Sequence, residues 1–242
     1  DLPRPARGGF EDLERTIMSF FELLRCYPEG SSSASRMAYT ARQLGWGGII
    51  FLSRDPEGIF MPEAAQKVKG IEVAIGAEAQ AAGGRALKSR IGSLYSRYPF
   101  VAVLGSSEET IRMASEDPHV DLLFHPCDVR HLLGIATARA AAQNQVAIGF
   151  DLSPLIHLRG QARARWMEAL RINLELVRKF HIRPVITAGA ASHLDLRSPR
   201  ELMALAGVAG FEAEEAREAL RLPGRLLELN RRNWAGPGVE IL

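Results

Sequence analysis

The stretch from Val146 to Glu201, VAIGFDLSPLIHLRGQARARWMEALRINLELVRKFHIRPVITAGAASHLDLRSPRE, constrains the fold more than any other part of the chain. It reads as strand, long helix, strand, polar loop and capped helix. Val146 to Phe150 and Pro184 to Ala188 are short apolar runs of the kind that form parallel strands buried on both faces. Between them Trp166, Leu170, Leu174, Val177 and Phe180 recur at three- and four-residue spacing, which predicts one apolar helical stripe. Arg163, Glu168, Arg171, Glu175, Arg178 and Lys179 fall on the opposite face. The unit is βαβ. Polar residues gather just after both strands, at Asp151, Ser153 and His157, then at Thr187, Ser192, His193, Asp195 and Arg197. In α/β barrels ligands meet the chain beyond the carboxyl ends of the strands, so function is expected there.

The rest of the chain repeats this pattern. Further strands are expected at Ser19 to Arg25, Gly47 to Leu52, Ile71 to Ile75, Phe100 to Leu104 and Val120 to Phe124. Ala34, Met37, Ala38, Ala41 and Leu44 form a helical stripe that Ser31 to Ser33 can cap and Gly45 can end. Gly84 to Arg97 is a basic helix or turn, and Leu132 to Ala142 is a small-residue helix. Ser106 or Ser107 caps a helix with Glu108 and Glu109 in its first turn, where the macrodipole favours acids. Ser198, Pro199 and Glu201 mark another helix start. A short acidic helix is expected after Gly210, followed by a basic tail holding Pro223, Gly236, Pro237 and Gly238.

Seven strands, most followed by helices, fit either a barrel or an open doubly wound sheet. No Gly-rich fingerprint follows any strand, which disfavours a Rossmann nucleotide site. The expectation is therefore a seven-stranded, TIM-barrel-like single α/β domain over residues 18–242. Residues 1–17, with Pro3, Pro5, Gly8 and Gly9, read as a loosely ordered N-terminal extension.

Composition narrows the class. A hydrophobic content of 47% in 242 residues supports a full core. No apolar run approaches the roughly 20 residues of a membrane span, and no basic region with an apolar core marks a secretory signal. Cys26 and Cys127 are too few for a disulfide framework and match no zinc spacing, so the reading is two reduced thiols in a cytoplasmic protein. The net charge is only +2 but unevenly spread. Arg85, Lys88, Arg90 and Arg97 occupy a window without acids, bases outnumber acids from Asp151 to Arg200, and Glu212, Glu214, Glu215 and Glu218 cluster later. Local basic surface is compatible with a phosphate-backbone partner, while solvated helix faces are the plainer alternative.

The same polar residues bear on hydrolytic chemistry. A metal centre needs several His, Asp or Glu side chains converging at strand ends. Asp121, His125, Asp151, His157 and His193 are the candidates. Against them, the first strand ends Leu24-Arg25-Cys26-Tyr27 without paired histidines, and His119, His125 and His131 are too widely spaced for a standard ligand pair. Ser192 and His193 are adjacent, which does not supply the geometry of a nucleophile and its base, and no G-x-S-x-G elbow occurs. Arg159, Arg163 and Arg165 lie just beyond a strand end and can either cover apolar surface with their stems or grip phosphates. Aromatic residues are not interleaved with these charges, so base stacking is not expected.

The runs ASRMAYTARQLGWGGIIF, VDLLFHP, NQVAIGFDLSPLI, NLELVRKF and VITAGAASHLDLRSPREL resemble archaeal ribonuclease P protein component 3, a relative of the 30-kDa subunit of the eukaryotic enzyme. The resemblance spans residues 18–242; members open with a methionine shortly before the first strand, and Met18 fits that place. It implies a barrel related to metal-dependent phosphoesterases of the PHP class, and membership of a ribonucleoprotein that removes the 5′ leader from precursor tRNA. It also implies that the RNA subunit holds the catalytic centre and its Mg2+, that this chain binds no cofactor and does not cut alone, and that there is no membrane partner. The implied partners are ribonuclease P RNA, a Pop5-like subunit, other ribonuclease P proteins and, indirectly, pre-tRNA. With that resemblance, the RNA-binding candidates are Arg85, Lys88, Arg90, Arg97, Arg159, Arg163, Arg165, His193 and Arg197. The competing expectation is a stand-alone PHP-like metal-dependent phosphoesterase using Asp121, His125, Asp151 and His193.

Overall fold

The seven apolar runs become seven parallel strands: β1 (Phe21–Leu24), β2 (Gly48–Ser53), β3 (Glu72–Ala79), β4 (Val101–Leu104), β5 (Leu122–Phe124), β6 (Ala147–Asp151) and β7 (Pro184–Thr187). The structure is a computed structural model that describes residues 19–62, 67–81, 83–125, 127 and 132–232, with the backbone alone of 234–236 and 239–240. The proposed extension over 1–17, Met18, His131, Pro237 and Gly238 lie outside the described residues. Each strand pairs in parallel with the next in sequence order, and β1 and β7 form the two edges. The helices are α1 (Ala34–Gln43), α2 (Gly84–Tyr95), α3 (Glu108–Glu116), α4 (Ile135–Gln143), α5 (Ser153–His157), α6 (Gly160–Lys179), α7 (Pro199–Ala209) and α8 (Ala213–Arg231). The result is the expected seven-stranded α/β barrel.

Local chemistry starts these helices where the sequence places them. Ser33 and Ser107 accept from the third backbone N–H of α1 and α3. Ser198 and Glu201 form a reciprocal capping box at α7, with Ser198 N donating to Glu201 Oε2 at 2.7 Å. Apolar residues then divide into two layers. Phe21, Leu23, Ile50, Leu52, Phe100, Leu122 and Val185 fill the barrel interior, while alternate strand residues such as Leu24, Ile49, Phe51 and Ile148 pack outward against the helices.

The edges meet without a regular ladder. Arg25 N donates to the Ala190 carbonyl at 3.0 Å, and Thr187 Oγ1 lies within hydrogen-bonding reach of both the Leu23 carbonyl and the Glu22 carboxyl. Ala188 N also donates to Glu22 Oε1 at 3.3 Å. Side chains thus bridge what strand pairing leaves open. Helix α8 packs against both β1 and β7.

That helix corrects the expectation of a short acidic helix and a basic tail, because α8 runs through Pro223 to Arg231. A proline inside a helix costs about 3 kcal/mol. Leu222, Leu226 and Leu227 are all buried in the interior cluster, and each is worth roughly 1.5–3 kcal/mol. Burial wins. Gly224 follows because a Cβ there would stand 2.5 Å from the Phe21 ring, so only glycine lets the helix come this close. Beyond it, Trp234–Gly236 and Val239–Glu240 form an antiparallel pair with no counterpart among the expected elements.

Candidate functional site

The carboxyl ends of the strands surround a cavity of about 230 Å³. Arg25 follows Phe21 and Leu23 in the alternation of β1, which turns it toward the interior. Its guanidinium donates to Glu29 Oε2 at 3.1 Å and pairs with Glu78, a buried carboxylate on β3. Glu29 also accepts from Ser53 Oγ at 2.6 Å and Arg54 N at 2.7 Å. Burial works to raise the Glu29 carboxyl, but those hydrogen bonds and the Arg25 charge outweigh it and hold the group below its ordinary value. The arginine's charge is therefore shared between two acids.

Asp151 ends β6 and faces the same cavity. Its Oδ1 accepts from Ser153 N at 2.8 Å, and its carboxylate lies against Gly189, where a Cβ would stand 3.1 Å from Oδ2. Gly189 has φ +56, a second reason for glycine there. Among the described residues no cation pairs with Asp151. His125 is buried, with Nδ1 3.3 Å from Asn173 Nδ2, and Asn173 Oδ1 accepts from Leu133 N at 2.8 Å. Burial pushes the Cys127 thiol up to about 12 and the Cys26 thiol up to about 11, so both stay protonated. At the β1–β7 junction, burial raises the Glu22 carboxyl to about 8, against hydrogen bonds from Thr187, Leu23 N and Ala188 N.

Of the four residues of the phosphoesterase expectation, His125 and Asp151 line the cavity, but Asp121 and His193 do not join them. Asp121 precedes β5 and lies at the amino end of the barrel, where it accepts from Val101 N and Asn230 Nδ2, each at 2.7 Å. Burial raises its carboxyl to about 6. An apolar run counted from Val120 hides the fact that Asp121 stands before the strand, and so at the other end from Asp151. His193 sits in the β7–α7 loop with Nδ1 2.9 Å from the buried Ser32 Oγ, tying that loop to the one after β1. Among the described residues no three His, Cys, Asp or Glu side chains are placed to hold a metal ion. The carboxylate that β3 contributes is matched to a guanidinium. The described residues do not fit a metal centre.

The basic candidates occupy separate flanks. On α2, Leu87, Ile91 and Leu94 face inward, leaving Arg85, Lys88 and Arg90 exposed. Arg90 donates to the Arg54 carbonyl at 3.2 Å. Arg97 is engaged, paired with Glu57 and placed 5.4 Å from the Tyr98 ring centre. At the other flank Arg159 donates to the Ile156 and Leu158 carbonyls and Arg163 to that of Leu158, at 2.6, 3.0 and 2.8 Å, while Arg165 is exposed. Arg197 donates to the carbonyls of Leu194 and Leu196, and its own carbonyl accepts from Trp46 Nε1 at 2.8 Å. Among the described residues no acid pairs with Arg159, Arg163 or Arg165. Arg25 and Glu78 escape sequence reasoning; the signal available is an arginine continuing an interior-facing alternation, which demands a counter-charge.

The family model described as RNase P subunit p30 matches residues 12–235. Ribonuclease P protein component 3 of Methanosarcina acetivorans is 38% identical over 219 residues, covering 89% of this chain and 92% of that protein. The Haloarcula marismortui protein of the same name is 32% identical over 230 residues, covering 91% and 96%. Among solved structures, a chain in the cryo-EM structure of archaeal ribonuclease P with mature tRNA aligns with TM-score 0.76 at 22% identity, over 92% of this chain and 97% of that one. The zinc-containing histidinol phosphate phosphatase of Lactococcus lactis aligns with TM-score 0.51 at 14% identity, over 80% and 95%. These last two are likenesses of fold.

Proposed function

The chain belongs to the RNase P subunit p30 family, and from that membership we propose that it works as a protein subunit of ribonuclease P, supporting an RNA that performs the cleavage. The observation that carries the reading is the match to that family and to relatives named ribonuclease P protein component 3 across about nine-tenths of the chain. A chain of the same fold also sits in an archaeal ribonuclease P holding mature tRNA.

In this reading the substrate is pre-tRNA, the RNA subunit supplies the Mg2+ chemistry, and a Pop5-like protein is the immediate partner. The chain contributes charge and shape. Arg85, Lys88 and Arg90 on α2, with Arg159, Arg163, Arg165 and Arg197 on the opposite flank, meet RNA phosphates; backbone contact of this kind positions an RNA without reading its sequence. Arg97 contributes least, because Glu57 already balances it. His193 serves the loop junction with Ser32. The Arg25–Glu78 pair at the mouth supports a non-catalytic role for this chain, since the strand ends offer a guanidinium where hydrolysis would need ligands for a metal.

Reconstituted pre-tRNA cleavage tests the proposal. The chain alone is expected to leave pre-tRNA intact, and leaving it out of an otherwise complete holoenzyme is expected to lower cleavage sharply. Full activity without the chain would refute the assignment.

A further inference from the structure

The barrel mouth differs in character from the basic flanks. Asp151 presents a carboxylate with no cationic partner among the described residues, while Arg25, which lines the same cavity, is divided between Glu29 and Glu78. With Arg25 balanced by two acids, Asp151 leaves negative charge in excess there, which disfavours phosphate. Its walls are apolar and partly aromatic, with Leu52, Leu104, Phe124 and Trp166 lining the cavity. At about 230 Å³ it is smaller than the roughly 300–1,000 Å³ of a typical drug-sized ligand site, and suits one long side chain. Exposed apolar residues stand on the loops and strand ends of the same face: Phe60 is 81% exposed, Leu194 75%, Tyr27 66% and Leu104 46%. A charged or aromatic anchor entering a pocket inside an apolar rim that excludes water is the usual anatomy of a protein–protein hot spot.

We propose that the mouth is a socket for an arginine or lysine side chain presented by another protein, with Asp151 taking the charge and Phe124 and Trp166 flanking the stem. A guanidinium suits it best, because it both bonds a carboxylate bidentately and stacks on aromatic faces. The assignment rests on the chain being one subunit of a larger particle, and it separates the faces: protein at the mouth, RNA on the arginine flanks. Gly189 leaves room for the carboxylate, and Ser153 N holds one of its oxygens.

The test uses the full chain alone, so its outcome is independent of the cleavage assay. Titration with n-butylguanidinium, followed by the indole N–H resonance of Trp166, is expected to give a saturable shift that Trp46 does not share, and butyrate is expected to give none. Asp151→Asn, whose amide oxygen can still accept from Ser153 N, is expected to weaken binding about tenfold. Leu104→Ala, on the exposed rim, is expected to weaken n-butylguanidinium but not methylguanidinium, which has no stem to bury. Within the reconstituted holoenzyme, Asp151→Asn is expected to loosen association with the protein subunits and leave RNA affinity unchanged. Equal affinity in wild type and Asp151→Asn, no saturable shift, or a shift produced by dimethyl phosphate, which would make the mouth an RNA-facing site, overturns the proposal.

Discussion

The two ends of the barrel carry carboxylates of opposite character. At the amino end Asp121 is enclosed, both oxygens taken by Val101 N and Asn230 Nδ2, above a floor that α8 seals with Leu222, Leu226 and Leu227. At the carboxyl end Asp151 has one oxygen engaged and opens onto a cavity. One end is closed by packing and the other opens onto a cavity, which matches the division between stability and ligand faces expected of barrels. The contrast predicts where a substitution costs stability and where it costs recognition.

The floor should respond most. Leu227→Ala removes a fully buried side chain and is expected to cost about 2–5 kcal/mol, lowering the melting temperature by about 2–4 °C per kcal/mol. A shift below that of a surface substitution would mean that α8 does not seal the barrel. The β1–β7 junction comes next. Glu22 has a folded value of about 8 against an ordinary 4.5, so its contribution is complete in acid and is lost as pH climbs through 8. Stability should fall by at most roughly 1.4 kcal/mol per pH unit across that window, and Glu22→Gln should flatten the slope; denaturant midpoints between pH 5 and 9 decide it.

The mouth should respond less. Arg25→Met leaves Glu78 without its counter-charge, which for a buried pair costs about 3–5 kcal/mol; with the Arg25 side chain 28% exposed, about 1–3 kcal/mol is expected. Arg25→Met combined with Glu78→Met should recover most of that stability, because the buried charge is gone and Glu29 keeps Arg54 Nε at 3.3 Å. If the double variant is as unstable as the single, the pair is not what fills the mouth.

Much of this contrast is legible in the residues themselves. The strand runs, the Ser198-Pro199-Glu201 helix start and the βαβ unit are local signals, and local signals survive in the sequence. The course of α8 does not, since Pro223-Gly224 reads as a stop and the compensating burial involves Phe21, some 200 residues earlier. Asp121 groups with the mouth only if β5 is started two residues early, at Val120, and that small shift moves it to the wrong end. Arg25 finds Glu78 across the sheet, a pairing with no periodicity to betray it. The arginines after β6 are visible as a cluster, but it takes the structure to show which stand clear of acids.

The central claim is that these arginines serve an RNA backbone, and salt dependence tests it most directly. With Arg163, Arg165 and Arg197 changed together to alanine, the slope of log K against log salt for ribonuclease P RNA should flatten by roughly 0.7–0.9 for each phosphate that is no longer neutralised. An unchanged slope, with affinity intact, would contradict the claim.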